Sequence, residues 1–486
     1  MTAKYLKKNY VPNLVSFLRV STFGIIYFVV LTANISCFAE DYHSFEGIIQ
    51  VVTNVSDGAY SPSQVVNLAK ERGIKIIFFN DSLFRKAEYG IRPFENLIKI
   101  KKEEPSVFRY GIKKYLKEIE DLNRQYPDMV VFAGVEAYPF YWWQGSPLKG
   151  KLFNFDLNKH LFVFGLTAKD YEFLPVIGKR YILPQNFKSL ILFFISILAI
   201  FVGMRLIRLR IRRFSYLGYT IFILGILFLL NNFPFPYKYD AYHGDKGYKP
   251  YQEFIDYVKK RGGFVFWAHP EYEFSRSLGK VDLYTLKYPD VLTNTFDYDG
   301  FGGVFPGHIS SCLAGREWDI ILKEFCLGQR KMPIWIIGEV DFDGTTTAEI
   351  DSIQTIFFSK HLDKDSILES LRKGRYYARR HTADCYVDLE SFTLQNSMMG
   401  ESVIVKNKPK LVIKGAANMN PDTKIRLEII RSAETIKAYE ILKGRFDLEF
   451  IDEEYQKITG KSYYRINFFS GDNLILASNP IFYEAK

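Results

Sequence analysis

A chain of 486 residues, 48% hydrophobic and 17% aromatic, is too long for one ordinary compact domain and too apolar to be disordered. Its net charge of +10 raises nucleic acid as a partner, but no Lys/Arg tract interleaves with aromatics, and the densest basic cluster, Arg205 to Arg213, lies between two apolar runs. Composition and charge layout therefore exclude nucleic acid from the expected partners and point to a membrane.

Residues 1–39 begin with Lys4, Lys7, Lys8 and Arg19, turn apolar from Val20 to Ala39, and contain no acid before Glu40. This pattern reads as a signal peptide cleaved after Ala39 or, left in place, as an N-terminal anchor. Residues 40–186 then alternate short apolar strands with helical stretches. "GIIQVVT" is expected as a strand. "SPSQVVNLAKERG" is expected as a helix, with Ser61 as its cap, Pro62 in its first turn and Gly73 at its end. "IKIIFFND", "MVVFAGVEAYP" and "HLFVFGL" follow as strands, with a helical stretch broken near Pro105 between the first two. Trp142 and Trp143 fall in the loop after the second of these, where packing is a better reading than stacking on a sugar or headgroup.

Residues 187–235 hold two apolar runs, Leu190 to Ile207 and Phe214 to Leu230. Each approaches the roughly 20 residues that cross a bilayer. Five arginines from Arg205 to Arg213, four of them between the runs, and no acid mark the turn, which places that turn in the cytoplasm and the flanking domains on the extracytoplasmic side, periplasmic or at the cell surface. The spans contain no acid and no histidine, so a transport or proton path is not expected.

From 236 to 384 the alternation resumes: helix at "YKPYQEFIDYVKKRGG", strand at "FVFWAHP", helix at "WDIILKEFCLGQRK", strand at "PIWIIGEVD", helix at "KDSILESLRKGRYYARR". Repeated strand–helix units imply a parallel α/β core, with Asp81, Glu136, His269 and Asp341 at strand C-terminal ends, where such barrels carry their sites. His160 differs because it opens its strand. Residues 385–486 change to short alternating strands and are expected as a small all-β, sandwich-like domain. Cys312, Cys326 and Cys385 are too scattered for a disulfide framework, although a Cys312–Cys326 bond is chemically allowed. GxSxG, HExxH and Walker sequences are all missing, which removes serine hydrolase, zincin and P-loop readings.

Taken in order, "TNVSDGAYSPSQVVNLAKERGIKIIFFNDS", "GVEAYP", "KHLFVFGL", "GGFVFWAHPE", "GEVDFDG" and "ILESLRKGRYYARR" resemble the PHP (polymerase and histidinol phosphatase) family, over about 45–185 and 236–384. The resemblance implies an α/β fold: a distorted (β/α)7 barrel, here interrupted by a two-helix transmembrane hairpin. It also implies metal-dependent phosphoester hydrolysis at up to three ions. The family's His-x-His pair would fall at Gln50 and Val52, and both histidines are gone. Asp57 and Gly58 match its Ser-Asp-Gly. Its Thr-Asp-His keeps Asp81 but has Ser82 as third residue. The bridging glutamate matches Glu136, the following histidines match His160 and His269, and the closing Asp-x-His reads Asp341 and Asp343.

A divalent ion in a nitrogen/oxygen site wants three or four protein ligands. Glu136, His160 and His269 would give one ion (Zn, Mn or Mg) three, with Asp341 in support and Asp341 or Asp343 as a catalytic group. Asp57 and Asp81 would complete the rim. A clamp of two or three ions is not expected from Val52, Gln50 and Ser82. Two functions follow. The first is a membrane-anchored protein that binds an envelope ligand or partner at a degenerate metal rim with little or no catalysis. The second is a single-metal phosphoesterase acting on an extracytoplasmic phosphoester.

Overall fold

The structure is a computed structural model that describes residues 42–146, 150–346 and 348–485. The expected signal or anchor segment, 1–39, lies outside the described residues. Strand β1 (His43–Val51) is followed by the helix Pro62–Glu71, which begins as its sequence requires: Ser61 and Gln64 cap one another, and Pro62 occupies the first turn, where its missing N–H costs nothing. Strand β2 (Ile76–Ser82) is buried at every residue, as a strand covered on both faces must be. A two-stranded hairpin, β3 (Lys86–Gly90) and β4 (Lys99–Glu103), stands off the main sheet. The amphipathic helix Ile112–Gln125 leads to β5 (Val130–Ala137). Strands β6 (Trp142–Gly145) and β7 (Leu152–Phe155) precede β8 (Leu161–Phe164).

The two long apolar helices come next, Phe187–Arg208 and Arg212–Asn232. Both are long and apolar enough to cross a membrane, with mean hydropathies of 2.7 and 1.8 and little of either buried in the protein. They pack closely through small residues: a Cβ on Gly203 would fall 2.6 Å from the Phe222 backbone nitrogen, so only glycine allows this approach. Short strands β9 (Arg180–Tyr181) and β10 (Phe235–Pro236) pair antiparallel at the entry and exit of the helical hairpin, bringing its two ends together.

After the hairpin come β11 (Phe264–Trp267), β12 (Phe274–Leu278), β13 (Val281–Thr285), β14 (Gly300–Val304), β15 (Trp335–Gly338), β16 (Ile353–Ser359) and β17 (Tyr376–Arg380). The main sheet runs β15-β14-β11-β8-β5-β2-β1-β16-β17, so strands from either side of the hairpin meet where β8 pairs with β11. β6, β7, β12 and β13 form a separate small sheet in the order β12-β13-β7-β6. The core is not uniformly parallel as expected from strand–helix alternation: β8 runs antiparallel to both β5 and β11, and β16 runs antiparallel to both β1 and β17. The reason for β8 is the chain path: β6 and β7 replace a crossover helix, and the chain re-enters the sheet at the rim where β5 ended. That reversal puts His160, at the start of its strand, beside residues that end theirs. Beyond β15 the chain turns to β1: Val340 N–H donates to Ile49 O at 3.0 Å, Phe342 N–H to Gln50 O at 3.0 Å, and Val52 N–H to Phe342 O at 2.9 Å.

From Cys385 the chain is built of strands: β18 (Cys385–Leu394), β19 (Ser397–Met398), β20 (Ser402–Val405), β21 (Lys410–Met419), β22 (Ile425–Arg431), β23 (Glu434–Ile441), β24 (Gly444–Ile451), β25 (Lys461–Ser470), β26 (Asn473–Ser478) and β27 (Ile481–Ala485). One layer, β19-β18-β21-β24, stands apart, while β26 pairs with β17 and extends the main sheet. A buried ion pair fastens this part to the helix Glu317–Cys326. Arg465 donates to both oxygens of Asp319 at 2.8 and 2.7 Å, Tyr463 and the Gly315 amide donate to the same carboxylate, and both charged side chains are fully enclosed.

Candidate functional site

The site is assembled at the rim where β1, β2, β5 and β15 end and β8 begins. Its first unusual residue is Gln50. The β1–β2 register slips between Ile49 and Val51, and Gln50 takes a φ of 68°, sparsely populated for a residue with a side chain. Its amide N–H is held by Asn80 Oδ1 at 3.0 Å, and its side-chain Nε2 donates to Glu136 Oε1 at 3.3 Å. The side chain at this position therefore acts as a donor to the acid. Val52, two residues on, is buried and apolar.

Glu136 is the centre of the first cluster. Tyr138 donates its hydroxyl to Glu136 Oε2 at 2.7 Å, so both carboxyl oxygens accept a hydrogen bond. Burial pushes the Glu136 carboxyl up to about 8; the Tyr138 hydrogen bond opposes this, while the nearby charges of Asp341 and Asp57 add to it. His160 Nε2 stands 3.6 Å from Glu136 Oε1 and has no hydrogen-bond partner. His160 Nδ1 lies 2.7 Å from the Asn158 carbonyl, which can only accept, so the ring proton is on Nδ1 and Nε2 presents a lone pair. Burial and the neighbouring His269 hold this imidazole well below its ordinary pKa. Near neutral pH the pair is then an uncharged acid facing an uncharged imidazole.

His269 belongs to a second pair. Its Nδ1 donates to Glu339 Oε2 at 2.9 Å, and its backbone N–H contacts both oxygens of the same carboxylate. Burial pulls His269 down, but the hydrogen bond and charge of Glu339 outweigh it and hold the imidazole above its ordinary value. Space for Glu339 comes from Gly302, where a Cβ would fall 1.8 Å from Glu339 Oε1. The two imidazole rings meet edge to face, with centroids 4.9 Å apart.

The acids divide sharply by what they bind. Asp81 is fully enclosed and accepts from Thr53 N–H at 2.8 Å, Thr53 Oγ1 at 2.9 Å and Ser56 Oγ at 2.7 Å. It ties down the turn after β1 with three of its acceptor positions. Asp57 is exposed and pairs with Arg85 at 2.7 Å. Asp341 is exposed at a φ of 51°. Asp343 accepts from the Thr345 N–H at 2.7 Å and Thr345 Oγ1 at 2.8 Å, capping its own turn. Ser82 is buried with an unpartnered hydroxyl.

Glu136, His160 and His269 thus share one rim, but they do not converge as three ligands. Among the described residues no group of three or more His, Cys, Asp or Glu side chains is placed to hold a metal ion. The physical reason lies at Glu136, where Gln50 and Tyr138 donate into the two carboxyl oxygens; Glu339 takes only Nδ1 of His269 and fixes the orientation of that ring. What remains for a cation is the lone pair of His160 Nε2, the second ring nitrogen of His269 and the Asp341 carboxylate, beside an acid whose two oxygens already accept hydrogen bonds. Asp341 and Asp343, expected as support for such an ion, sit on an exposed turn with Asp343 committed to Thr345.

Four participants escaped sequence reading: Tyr138, Asn158, Arg85 and Glu339. Only Glu339 left a signal there, since Glu339-x-Asp341-x-Asp343 has the alternate spacing that shares one face of an extended strand. Trp142 and Trp143 lie in β6 and pack, Trp142 stacking on Phe155 at 4.4 Å and Trp143 meeting Tyr89 edge to face at 5.6 Å.

No family model matches the chain, and no curated protein sequence matches it. Among solved structures it is similar to a two-domain protein containing a predicted PHP-like metal-dependent phosphoesterase from Bacteroides vulgatus ATCC 8482, at 11% identity over 90% of this chain and 95% of that one, with a TM-score of 0.35. It is also similar to a protein from Bifidobacterium adolescentis ATCC 15703 provisionally described as a metal-dependent phosphoesterase, at 13% identity over 68% of this chain and 97% of that one, with a TM-score of 0.28. At these identities and TM-scores the likeness carries no weight for the chemistry, which rests on the side chains themselves.

Proposed function

We propose that the chain is a membrane-anchored protein with a degenerate metal rim, which binds an extracytoplasmic ligand or partner there with little or no catalysis. The carrying observation is that Gln50 and Tyr138 both donate hydrogen bonds into Glu136. A carboxyl so engaged, held neutral by burial, is a receptor for a polar group and a poor ligand for a cation. The barrel reading is supported by the backbone bonds from Val340 and Phe342 to β1, which return the sheet towards its first strand. Anchoring is supported by the two apolar helices, and their arginine-rich turn supports a cytoplasmic placement for that turn. The test is metal content of the purified full-length chain after dialysis against Zn, Mn or Mg. Substoichiometric metal supports the binding reading; two or more ions per chain overturn it.

A second reading, a single-metal phosphoesterase, is favoured by one observation: the unpartnered His160 Nε2 directed at Glu136. It requires one stoichiometric ion, lost in His269→Ala and kept in Ser82→Ala, together with phosphoester hydrolysis that follows metal occupancy.

A further inference from the structure

A cavity of about 290 Å³ opens between the β3–β4 hairpin and the small sheet β12-β13-β7-β6. Its walls are mainly apolar, with Ala87, Trp143, Leu152, Leu283 and Phe274 among them. Trp143 brings the one indole N–H in this wall, and it already donates to the Glu88 carbonyl at 2.8 Å. A sugar or a peptide backbone would find few partners on such walls, whereas a hydrocarbon chain needs none. Each methylene withdrawn from water strengthens binding about fourfold.

The mouth differs from the walls. Arg85, Lys86, Lys102 and Arg276 line it together with Glu104; Lys102 pairs with Glu104 at 3.1 Å, Lys86 with Glu88 at 2.6 Å, and Arg85 with Asp57 and Glu104 at 2.7 and 3.0 Å. Arg276 is exposed and has no ion-pair partner among the described residues, so it is available to an anion. Two lining residues are also shared with the candidate site. Asn158 holds His160 through its carbonyl, and its Oδ1 accepts from Arg85 Nη2 at 3.4 Å. Arg85 pairs with Asp57 and stands 5.7 Å from the ring of Tyr138, whose hydroxyl reaches Glu136.

The same hairpin touches the apolar helices at its other end. The Asn96 N–H at its tip donates to Asn231 Oδ1 at 2.9 Å, and the rings of Phe94 and Phe228 lie 5.1 Å apart. The hairpin that forms one wall of the cavity therefore reaches from the helices that can enter a bilayer to Arg85 beside the rim. We propose that this cavity takes the hydrocarbon chain of an anionic bilayer amphiphile, whose head is held at the mouth by Arg276 and Lys102, next to Arg85 and the Glu136–His160 pair. This rests on the rim-binding, membrane-anchored reading and names the class of its ligand.

The test uses the full-length chain in phosphatidylcholine nanodiscs with a dansyl fatty acid as the fluorescent probe. Dioctanoyl phosphatidic acid, dioctanoylglycerol and inorganic phosphate serve as competitors. Phosphatidic acid is expected to displace the probe at a concentration at least tenfold lower than dioctanoylglycerol, and inorganic phosphate is expected not to displace it. Ala87→Phe, which fills the cavity, should weaken both chain-bearing competitors at least tenfold. Arg276→Glu, an exposed substitution that spares the core, should weaken phosphatidic acid about three- to tenfold and leave dioctanoylglycerol unchanged. Equal displacement by the neutral lipid, displacement by phosphate alone, or indifference to Arg276→Glu would each overturn the proposal. Metal content of the same preparations reports the rim independently, so a failed chain site and a failed rim reading give different results.

Discussion

Replacing Asp81 by Ala separates a ligand from a structural acid. Asp81 is fully enclosed and takes three hydrogen bonds, from the Thr53 N–H, the Thr53 hydroxyl and the Ser56 hydroxyl. Removing the carboxylate leaves one buried amide with no alternative acceptor and two hydroxyls that can rotate towards others. An orphaned buried donor costs about 1–3 kcal/mol, so the amide together with partial losses at the hydroxyls gives roughly 3–4 kcal/mol. Unfolding a unit the size of 43–486 carries an entropy near 0.9 kcal/mol/K at about 2.1 cal/mol/K per residue. The melting temperature should therefore fall by about 3–5 °C, read by intrinsic fluorescence of the detergent-solubilised full chain. The metal content should not change. An unaltered melting temperature together with lost metal or ligand binding would refute the reasoning and return Asp81 to the ligand set.

Glu136→Gln tests the neutral acid. Because burial raises Glu136 to about 8, the contribution of this group to stability is fully present below the ordinary carboxyl pKa and is lost as pH rises towards 8; the variant lacks this loss and should gain on the wild type by up to about 4 kcal/mol between pH 5 and 8, read as stabilities from urea unfolding. A gap that does not change with pH would count against the raised value. Arg465→Met leaves Asp319 buried and short of its charge partner, and should destabilise by about 3 kcal/mol, with much of the loss recovered in the double variant with Asp319→Leu. An equally unstable double variant would show that packing, not charge, holds that junction. Alkaline phosphatase fused after Arg213 should be inactive and the same reporter fused after Lys249 active, as measured by colour development in intact cells; the reverse pattern would place the main part of the chain in the cytoplasm.

What the sequence determined by itself is what local chemistry fixes. The two apolar helices follow from run length and the arginines between them. The helix Pro62–Glu71 follows from Ser61, Pro62 and Gln64, and the strands from short apolar runs between turn residues. The rim residues were legible as positions, since strand ends are marked by where polar residues interrupt apolar ones. Tertiary structure alone decided strand direction and the use of each lone pair. β8 runs against its neighbours because β6 and β7 carry the chain back along one rim, and a strand's residues do not encode the route by which it is reached. Asp81 and Glu136 are both acids at the ends of adjacent parallel strands. One accepts three hydrogen bonds from the turn after β1, and the other is engaged by Gln50 and Tyr138. Glu339 meets His269 from 70 residues away, across space that only Gly302 leaves open. Hydrogen-bond commitments of this kind depend on distances of a few tenths of an ångström between segments remote in the chain. Residue identity limits which bonds can form; packing chooses among them.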